Sequence, residues 1–230
     1  MKKASLTSCY SIRLVNWIRS GRHHSASIDP SIVLWVPPER IMLCKKVPIK
    51  GKYDRMFSQV IGGEWVKELG NFRSHPIYQY LYRRVTDSCH IEDDPWFLHC
   101  RRMIETKGHF WHGCSTLKDL HMRTSNILNI YENVLHNGYT SPPEVIKLHP
   151  GRAPHSFNSQ VKVAITPSGT YAYVTGAHRT AIALLAGVDY IPVSVVVRHA
   201  TWQAFRNLIK ETKDGSLPIK PHQDLLSATL

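Results

Sequence analysis

The chain has 230 residues, and its content of 43% hydrophobic and 10% aromatic residues allows a buried core and excludes global disorder. It carries 29 basic and 17 acidic residues, which gives a formal net charge of +12. This balance favours an anionic partner such as a nucleotide, a nucleic acid, a phosphorylated metabolite or a membrane surface, although a basic protein can also be merely soluble.

The first predicted element is an amphipathic helix over residues 10–22. Tyr10, Leu14 and Ile18 recur at helical spacing, and arginines fall largely on the other faces. Such a helix either docks on a domain with a solvated cationic face or contacts a membrane or a nucleic acid.

Three further elements are predicted in the first half of the chain. Near residues 32–48, two apolar runs flank a double proline, which predicts a strand entering a turn because proline bars a helix there. Residues 76–85 are predicted as a helix, since tyrosine and leucine side chains fall on one side. Asp94 followed by Pro95 is typical of a helix start.

The second half of the chain has a clearer pattern. A long helix is predicted over residues 115–139, where apolar side chains recur at three- and four-residue steps before an Asn-Gly stop. Two alternating runs over 161–176 surround a Pro-Ser-Gly turn and predict a hairpin. A helix over 178–187, a buried strand over 190–199 and a helix over 201–210 follow.

The junction at Gly176, between the hairpin and the next helix, carries the strongest chemical signal. A strand, a glycine and a helix N-terminus present free backbone N–H groups and a positive dipole end to an anion. His178 and Arg179 lie in the first helical turn, where cations are normally disfavoured, so a phosphate beside them would explain both. Thr175 and Thr180 add hydroxyl groups that could cap the helix or bind phosphate oxygens. The alternative is a capped helix whose charged side chains are solvated.

A longer series of residues surrounds this junction. It runs NIYENVLHNGY and then VKVAITPSGTYAYVTGAHRTAIALLAGVDYIPVSVV. The series resembles the ParB/sulfiredoxin superfamily, in which ParB domains carry Gly-Glu-Arg-Arg, sulfiredoxins Gly-Gly-Cys-His-Arg and free serine kinases Asp-Gly-x-His-Arg at the corresponding point. GGEW at 62–65 and VVVRHATWQ at 195–203 also resemble an uncharacterised bacterial and archaeal ParB-like subgroup. The resemblance implies an α+β fold with a small mixed sheet flanked by helices and a helical N-terminal extension.

The resemblance also implies a division of the chain. Residues 116–212 are expected to form the ParB/sulfiredoxin-like core, and residues 1–115 an extension packed on it that includes the first core strand near 32–48. Residues 213–230 are polar and contain prolines, and are expected to form a loosely held tail.

The family's phosphate-binding element matches Gly176, His178 and Arg179. Ala177 stands where sulfiredoxins have their catalytic cysteine, so sulfinic-acid reduction is not expected. Thr175 stands where the serine kinases have an acid, which weakens a metal-linked or base role there. The complete set expected to bind the nucleotide is Thr175, Gly176, Ala177, His178, Arg179, Thr180, Arg198 and His199.

Two acidic residues are candidates for a catalytic base beside His178. Glu39 follows the predicted first strand, where the serine kinases keep a catalytic glutamate, although a surface acid at a strand end is the alternative. Glu64 follows two glycines, which often let a side chain project into a cleft. Arg198 and His199 end a buried strand, a common ligand position in mixed sheets, unless they are simply solvated there.

The expected cofactor is a nucleotide, ATP, ADP or CTP, with Mg²⁺ held partly by phosphates and water. His109, His112 and Cys114 form one cluster, but a structural zinc site needs four ligands, usually in two spaced pairs, so zinc is not expected. Arg152 and His155 precede the hairpin and either reach phosphates or decorate a loop.

Cysteine usage and hydropathy indicate the compartment. The five cysteines are widely spaced and lack a C-x-x-C pair, which argues against a disulfide framework and for reduced thiols. The N-terminal sequence has no apolar stretch long enough for a signal peptide, and no window approaches the roughly 18 apolar residues of a membrane span. We therefore expect a cytoplasmic protein without a membrane span.

These features lead to three functional hypotheses. The first is a nucleotide-dependent phosphotransferase, or kinase, acting on a small hydroxylated metabolite, in which His178 and Arg179 stabilise the transferred phosphoryl group. The second is a DNA-associated ParB-like protein, either a nucleotide-gated clamp or a nuclease, although no helix-turn-helix is recognised after residue 198. The third is a non-catalytic nucleotide-binding or scaffold protein that has the same fold.

Overall fold

The structure is a computed structural model, and it describes residues 18, 23–29, 32–44, 47, 49, 58–87, 89–139, 161–212 and 222–226. The helix predicted over 10–22 lies outside these residues except for Ile18, and so do Arg152 and His155.

The chain divides into two compact units. The first, which we call the sheet unit, comprises Met1–Gly70, Ser141–Gly176 and Tyr190–Leu230. The second, which we call the helical unit, comprises Asn71–Thr140 and Ala177–Asp189. Both units are therefore built from segments that are distant in sequence, whereas the extension, core and tail expected from the sequence are each continuous.

Seven strands of the described residues form one mixed sheet. They are β1 Val33–Val36, β2 Ile41–Cys44, β3 Gln59–Ile61, β4 Leu69–Asn71, β5 Val161–Ile165, β6 Tyr171–Thr175 and β7 Ile191–His199. Their order is β1-β7-β5-β6-β2-β4, and β3 also pairs with β7. β7 runs parallel to β5 and β3 and antiparallel to β1, and β6 runs parallel to β2 and antiparallel to β5. The general prediction of an α+β fold with a mixed sheet is confirmed.

The predicted hairpin is formed by β5 and β6. In its turn, the Thr166 N–H donates to the Thr170 carbonyl at 3.0 Å and the Gly169 N–H donates to the Thr166 carbonyl at 3.1 Å. Gly169 has φ +83°, and a Cβ there would lie 2.8 Å from the Trp202 ring, so a side chain would clash at this position. The Pro-Ser-Gly signal in the sequence was therefore sufficient to place this turn.

β7 pairs with three other strands of the sheet unit, β1, β3 and β5. All of its nine residues are buried, as expected for a strand that is covered on both sides. Val196 and Val197 pack in an apolar cluster with residues of β2, β5 and β6, namely Cys44, Ala164 and Ala172.

Two helices complete the described part of the sheet unit, α5 over Ala200–Thr212 and α6 over Gln223–Leu226. α5 contains the region predicted as a helix, 201–210, and extends beyond it by one residue at the start and two at the end. α6 lies in the tail that was expected to be loosely held, yet Asp224 and Leu225 are buried. This helix was not predicted from the sequence, because its apolar stretch is very short and is surrounded by polar residues and prolines.

The helical unit contains four α-helices in the described residues. They are α1 Pro76–Val85, α2 Pro95–Lys107, α3 Leu117–Asn137 and α4 Ala177–Leu185. α4 packs against α1 and α3 within this unit. Three of the four helices, α1, α3 and α4, were predicted from their apolar spacing, and their observed boundaries lie within two residues of the predicted ones. For α2 only the start was predicted, from Asp94 and Pro95, and the helix begins at Pro95.

The starts of these helices follow from their capping residues. Asp94 accepts hydrogen bonds from the N–H groups of Trp96 at 2.7 Å and Phe97 at 3.3 Å, and Pro95 occupies the first helical position of α2. Thr116 and Asp119 form a reciprocal capping box at the start of α3. None of the described helices is long and apolar enough to cross a membrane.

Candidate functional site

The strand–glycine–helix junction is present as predicted. β6 ends at Thr175, Gly176 has φ +100°, and α4 begins at Ala177. A Cβ on Gly176 would lie 3.0 Å from both Cα and Cγ2 of Val161, so backbone conformation and space both require glycine. Gly176 is the last residue of the sheet-unit segment, and α4 belongs to the helical unit.

His178 lies in the first turn of α4, inside an aromatic and cationic environment of the helical unit. Its imidazole stacks on the Trp111 indole, with ring centroids 5.6 Å apart and planes at 25°. The His112 ring centroid is also 5.6 Å away. The Nε2 atom of His178 is buried and has no hydrogen-bond partner among the described residues.

The surroundings of His178 determine its charge. Burial is the largest influence on its pKa, followed by the positive charge of Arg123 and by repulsion from His112 and His75 when these are protonated, and together they lower the pKa to about 3. The imidazole is therefore neutral near pH 7 in the free protein. His178 can act there as a hydrogen-bond donor through one N–H, rather than as the cation that the sequence alone suggested.

Arg179 supplies the permanent charge of the pair. Burial lowers its pKa, and the nearby Tyr139 acts in the opposite direction. No carboxylate forms an ion pair with Arg179 within the part of the chain that the structure describes. A guanidinium with no acidic partner is suited to grip an anion in bidentate fashion.

The turn at residues 110–114, which connects α2 to α3, is strained. Trp111 has φ 41°, His112 φ 63° and Gly113 φ 86°. The backbones of Phe110 and Cys114 form an isolated antiparallel β-bridge, in which the Phe110 N–H donates to the Cys114 carbonyl at 2.9 Å. Left-handed φ values at two successive residues other than glycine are rare, most of all for a bulky residue, and cost of order 1–3 kcal/mol each. Such strain persists only where the surrounding structure imposes it.

Five buried side-chain nitrogens of the helical unit have no hydrogen-bond partner among the described residues. Arg84 Nε and Trp96 Nε1 are two of them, and the other three, His178 Nε2, Trp111 Nε1 and Arg123 Nε, belong to side chains that pack around the Trp111 ring. The Arg123 guanidinium carbon is 5.9 Å from the centroid of the Trp111 ring, which itself stacks on His178. A buried donor without an acceptor costs about 1–3 kcal/mol, so three of them in one cluster require an explanation.

Sequence reasoning missed most of this cluster. Trp111 and Arg123 were not singled out, and His112 was considered only as a metal ligand. The stretch HFWHGC is unusual in composition, and Gly113 is typical of a residue with positive φ. Nothing in this stretch predicts that the two residues before Gly113 also have positive φ. Arg123 lies in the middle of a regular helix, where nothing in the local sequence distinguishes it from a solvated arginine.

The remaining predicted residues near the junction have simpler surroundings. Thr180 is fully buried on α4, Ala177 is its first residue, and Thr175 is the last residue of β6.

The predicted acids lie in the sheet unit, whereas His178 lies in the helical unit. Glu39 is exposed in a short 3-10 turn, Pro38–Arg40. Glu64 is exposed and forms an ion pair with Lys67. Both carboxylates are therefore in contact with solvent.

Arg198 and His199 have structural partners within the sheet unit. Arg198 is fully buried, and its Nε and Nη2 atoms donate to the Asp224 carboxylate at 3.1 and 2.5 Å. His199 Nε2 lies 2.9 Å from the Gly63 carbonyl oxygen, and its Nδ1 accepts the Thr201 N–H at 3.2 Å. These bonds provide partners within the sheet unit for most polar atoms of the two side chains, while the Nη1 atom of Arg198 is buried without a hydrogen-bond partner among the described residues.

The residues considered for metal binding are distributed as follows. His109 is exposed, and Cys114 is buried, which raises the pKa of its thiol. In the described ranges, no three His, Cys, Asp or Glu side chains are arranged to hold a metal ion. The cluster around His178 offers N–H donors and no carboxylate, so its residues do not fit Mg²⁺ as ligands.

The geometry is that of an electropositive, donor-rich cluster formed by His178, Trp111, His112 and Arg123, with Arg179 next to His178 in the first turn of α4. Comparisons of the chain with protein-family models, with curated proteins and with solved structures find no match in any of the three.

Proposed function

We propose that the chain is a nucleotide-dependent phosphotransferase of the ParB/sulfiredoxin-like type. In this proposal it binds the phosphate groups of a nucleotide at the start of α4 and transfers a phosphoryl group to a small hydroxylated molecule. Two observations carry the proposal: His178 Nε2 is buried without a hydrogen-bond partner, and the next residue of α4, Arg179, has no acidic partner in the described residues. Phosphate oxygens would satisfy both groups.

The residues at the start of α4 divide the work of binding. Arg179 forms a charge-assisted, two-pronged contact with the phosphate. His178 donates one hydrogen bond from its neutral imidazole. The first backbone N–H groups of α4 have no acceptor within the helix, and they add the positive end of the helix dipole. Gly176 permits the sharp entry into the helix that exposes these groups.

Phosphoryl transfer suits a site that consists of hydrogen-bond donors. The transferred group carries its charge on three equatorial oxygens in the transition state, so positioning and charge stabilisation supply most of the catalysis. His178 is a weak proton acceptor in the free protein because its pKa is about 3. Glu39 and Glu64, which the sequence suggested as acceptors of the proton from the attacking hydroxyl group, stay predictions.

The first test is a thermal-shift screen of the full chain with ATP, ADP, CTP and GTP, each with and without Mg²⁺. A nucleotide that binds only the folded protein stabilises it by about 2.7 kcal/mol at one hundred times its Kd. For a chain of this size, that corresponds to an increase in Tm of about 5–10 °C. We expect Arg179→Ala to abolish the shift.

Arg102→Ala is the matched control, because Arg102 is exposed on α2 and its replacement removes the same charge. This variant should keep the full nucleotide shift. If no nucleotide stabilises the wild-type chain, and Arg179→Ala behaves like Arg102→Ala, the proposal is wrong.

The second test separates binding from transfer. Nucleotide consumption is measured in the presence of pooled hydroxylated small molecules, for the wild type, Glu39→Gln and Glu64→Gln. We expect one of the two variants to lose turnover while keeping the nucleotide-dependent increase in Tm, since it would lack only the proton acceptor. Nucleotide binding by the wild type without any turnover would reduce the function to nucleotide binding.

The net charge of +12 favours a second candidate, a nucleotide-gated DNA-binding protein. Neutralisation of DNA phosphates makes affinity fall steeply with salt. Mobility-shift assays at 50 and 200 mM salt, with and without nucleotide, test this candidate. An absence of DNA binding at 50 mM salt would eliminate it.

A further inference from the structure

We infer that Trp111 and Arg123 complete the phosphate site, by donating their N–H groups to the same oxyanion that His178 binds. The inference rests on the proposed function, because it assigns further binding residues to that site. It places one contact on the strained turn at residues 110–114 and one on α3, beside those of α4.

The chemistry of the unpartnered atoms defines the ligand. An indole Nε1 and a guanidinium Nε can only donate hydrogen bonds, so the missing partner of Trp111 and Arg123 must be an acceptor. This requirement excludes a metal ion and an ammonium group as the ligand. Because Arg123 and Arg179 also bring positive charge, the acceptor that fits is an oxyanion, such as a terminal phosphate group.

The arrangement of the rings links these donors to His178. Trp111 is 8% exposed and stacks on the His178 imidazole, and the Arg123 guanidinium lies on the Trp111 ring. The electrostatic influence of Arg123 on His178 is the largest after burial, which also indicates that the two side chains are close. The three donors therefore belong to a single cluster.

Simple core packing accounts for only part of this arrangement. The Trp111 ring packs edge-to-face against Tyr80 at 5.7 Å and Trp96 at 6.0 Å, which explains why a large aromatic ring lies at this position. Packing of the ring does not explain why its N–H group is buried without an acceptor. It also does not explain why the backbone at Trp111 and His112 is held at positive φ.

The site has a mechanical consequence for Trp111. His178 Nε2 and Trp111 Nε1 are both buried, so an oxyanion can reach them only if the indole ring moves or the 110–114 turn shifts. Binding should therefore change the environment of Trp111 and relieve part of the strain in the turn. Tryptophan fluorescence reports such a change directly, and comparison with Trp111→Phe assigns it to this residue.

The experiment titrates the full chain with inorganic phosphate and with pyrophosphate, using calorimetry and tryptophan fluorescence. Trp111→Phe keeps an aromatic ring and removes its N–H, and Arg123→Met keeps much of the apolar volume and removes the donors. We expect each variant to bind pyrophosphate at least about tenfold more weakly, as for the loss of a hydrogen bond to a charged group. The fluorescence change should disappear in Trp111→Phe.

Arg102→Met is the control for lost charge, since Arg102 is exposed on α2. Arg123→Lys keeps the positive charge and N–H donors but lacks the planar guanidinium, so a loss of affinity in Arg123→Lys, with an unchanged circular dichroism spectrum, assigns the effect to the guanidinium geometry rather than to the charge. Thermal melts of every variant identify any that fails to fold.

The outcomes separate this inference from the proposed function. If Arg179→Ala abolishes pyrophosphate binding while folded Trp111→Phe and Arg123→Met bind like the wild type, the inference is overturned and the phosphate site at α4 stands. If the wild type binds neither phosphate, pyrophosphate nor any nucleotide, both are overturned.

Discussion

The charge of one histidine side chain depends on the groups packed around it. His178 lies in the first turn of α4, and burial together with Arg123, His112 and His75 makes its protonated form unfavourable. Burial also lowers the pKa of His75 and of His112. The cluster is thus electropositive through its arginines, while its imidazoles remain neutral near pH 7.

This arrangement predicts how stability changes with pH. The unfolded chain protonates His178 at its ordinary pKa of 6.5, whereas the folded protein does so only near pH 3. The neutral His178 therefore contributes its full stabilisation of the folded protein above pH 6.5, and this contribution is lost as the pH falls towards 3. Between pH 7 and pH 5 this one residue should reduce the free energy of unfolding by about 2 kcal/mol.

Urea denaturation at the two pH values tests the prediction. His178→Asn cannot be protonated, so its stability should change by about 2 kcal/mol less than that of the wild type over this range. His109→Asn replaces an exposed histidine and should keep the wild-type dependence. Equal pH dependence in the wild type and in His178→Asn would show that the imidazole is not held neutral.

Secondary-structure elements differ in how much the local sequence determines them. The helices and the hairpin were predictable, because their apolar spacing, caps and turn glycines act within a few residues. The turn at 110–114 was not predictable, because Trp111 and His112 have positive φ values that their residue types disfavour. The contacts of Trp111 in this turn, with Tyr80 and Trp96, are made with other elements of the chain. Pairing of Arg198 with Asp224 was missed for a similar reason, because 26 residues separate them.

In the candidate site, too, the residues that are adjacent in sequence were predictable and those brought in from distant segments were not. Gly176, His178 and Arg179 were recognised because they are consecutive with the end of a strand and the start of a helix. Trp111 and Arg123 reach the cluster only through the packing of separate elements of the helical unit, which a linear pattern does not reveal.

At the level of a single element, we expect substitution of Asp94 to destabilise the protein more than substitution of any other residue at the start of α2. It is fully buried, caps the helix through two N–H groups and receives the Arg83 Nε–H at 2.7 Å. Asp94→Ala removes the cap and leaves Arg83 without its carboxylate, which should destabilise the protein by about 2–4 kcal/mol. Urea denaturation measures the loss.

Asp94→Asn retains an oxygen for the cap and should lose less stability than Asp94→Ala. Asp93→Ala, which alters the exposed neighbour, should change stability by under about 0.5 kcal/mol. Similar stabilities for the Asp94→Ala and Asp93→Ala variants would rule out a capping role for Asp94.

Across the whole chain, the C-terminal residues tie together distant parts of the sheet unit. Asp224 on α6 accepts hydrogen bonds from Arg198 on β7 and from the Trp202 indole, and forms an ion pair with Arg206 at 3.1 Å. Burial alone raises the pKa of Asp224, but the charges and hydrogen bonds of these partners lower it to about 2. Gln223 also accepts the Trp35 N–H of β1 at 2.6 Å.

Asp224→Ala should therefore be strongly destabilising. The substitution leaves two buried guanidinium groups, those of Arg198 and Arg206, without their carboxylate, a situation that costs about 3–5 kcal/mol. Calorimetric unfolding should show a Tm lowered by about 10 °C. Asp189→Ala removes an exposed carboxylate elsewhere and should leave the Tm nearly unchanged. A wild-type Tm in Asp224→Ala would mean that the network contributes little.

The chain passes from one unit to the other four times, after residues 70, 140, 176 and 189. A protease that nicks any one of these crossings releases neither unit, because three covalent tethers remain. A fragment covering 71–140 would inherit α1, α2 and α3 but would lack α4, whose Ala181 and Ile182 are buried in the intact chain. Neither unit can therefore be transferred to another protein as one continuous stretch of sequence, and we expect the two units to occur together in the same chain.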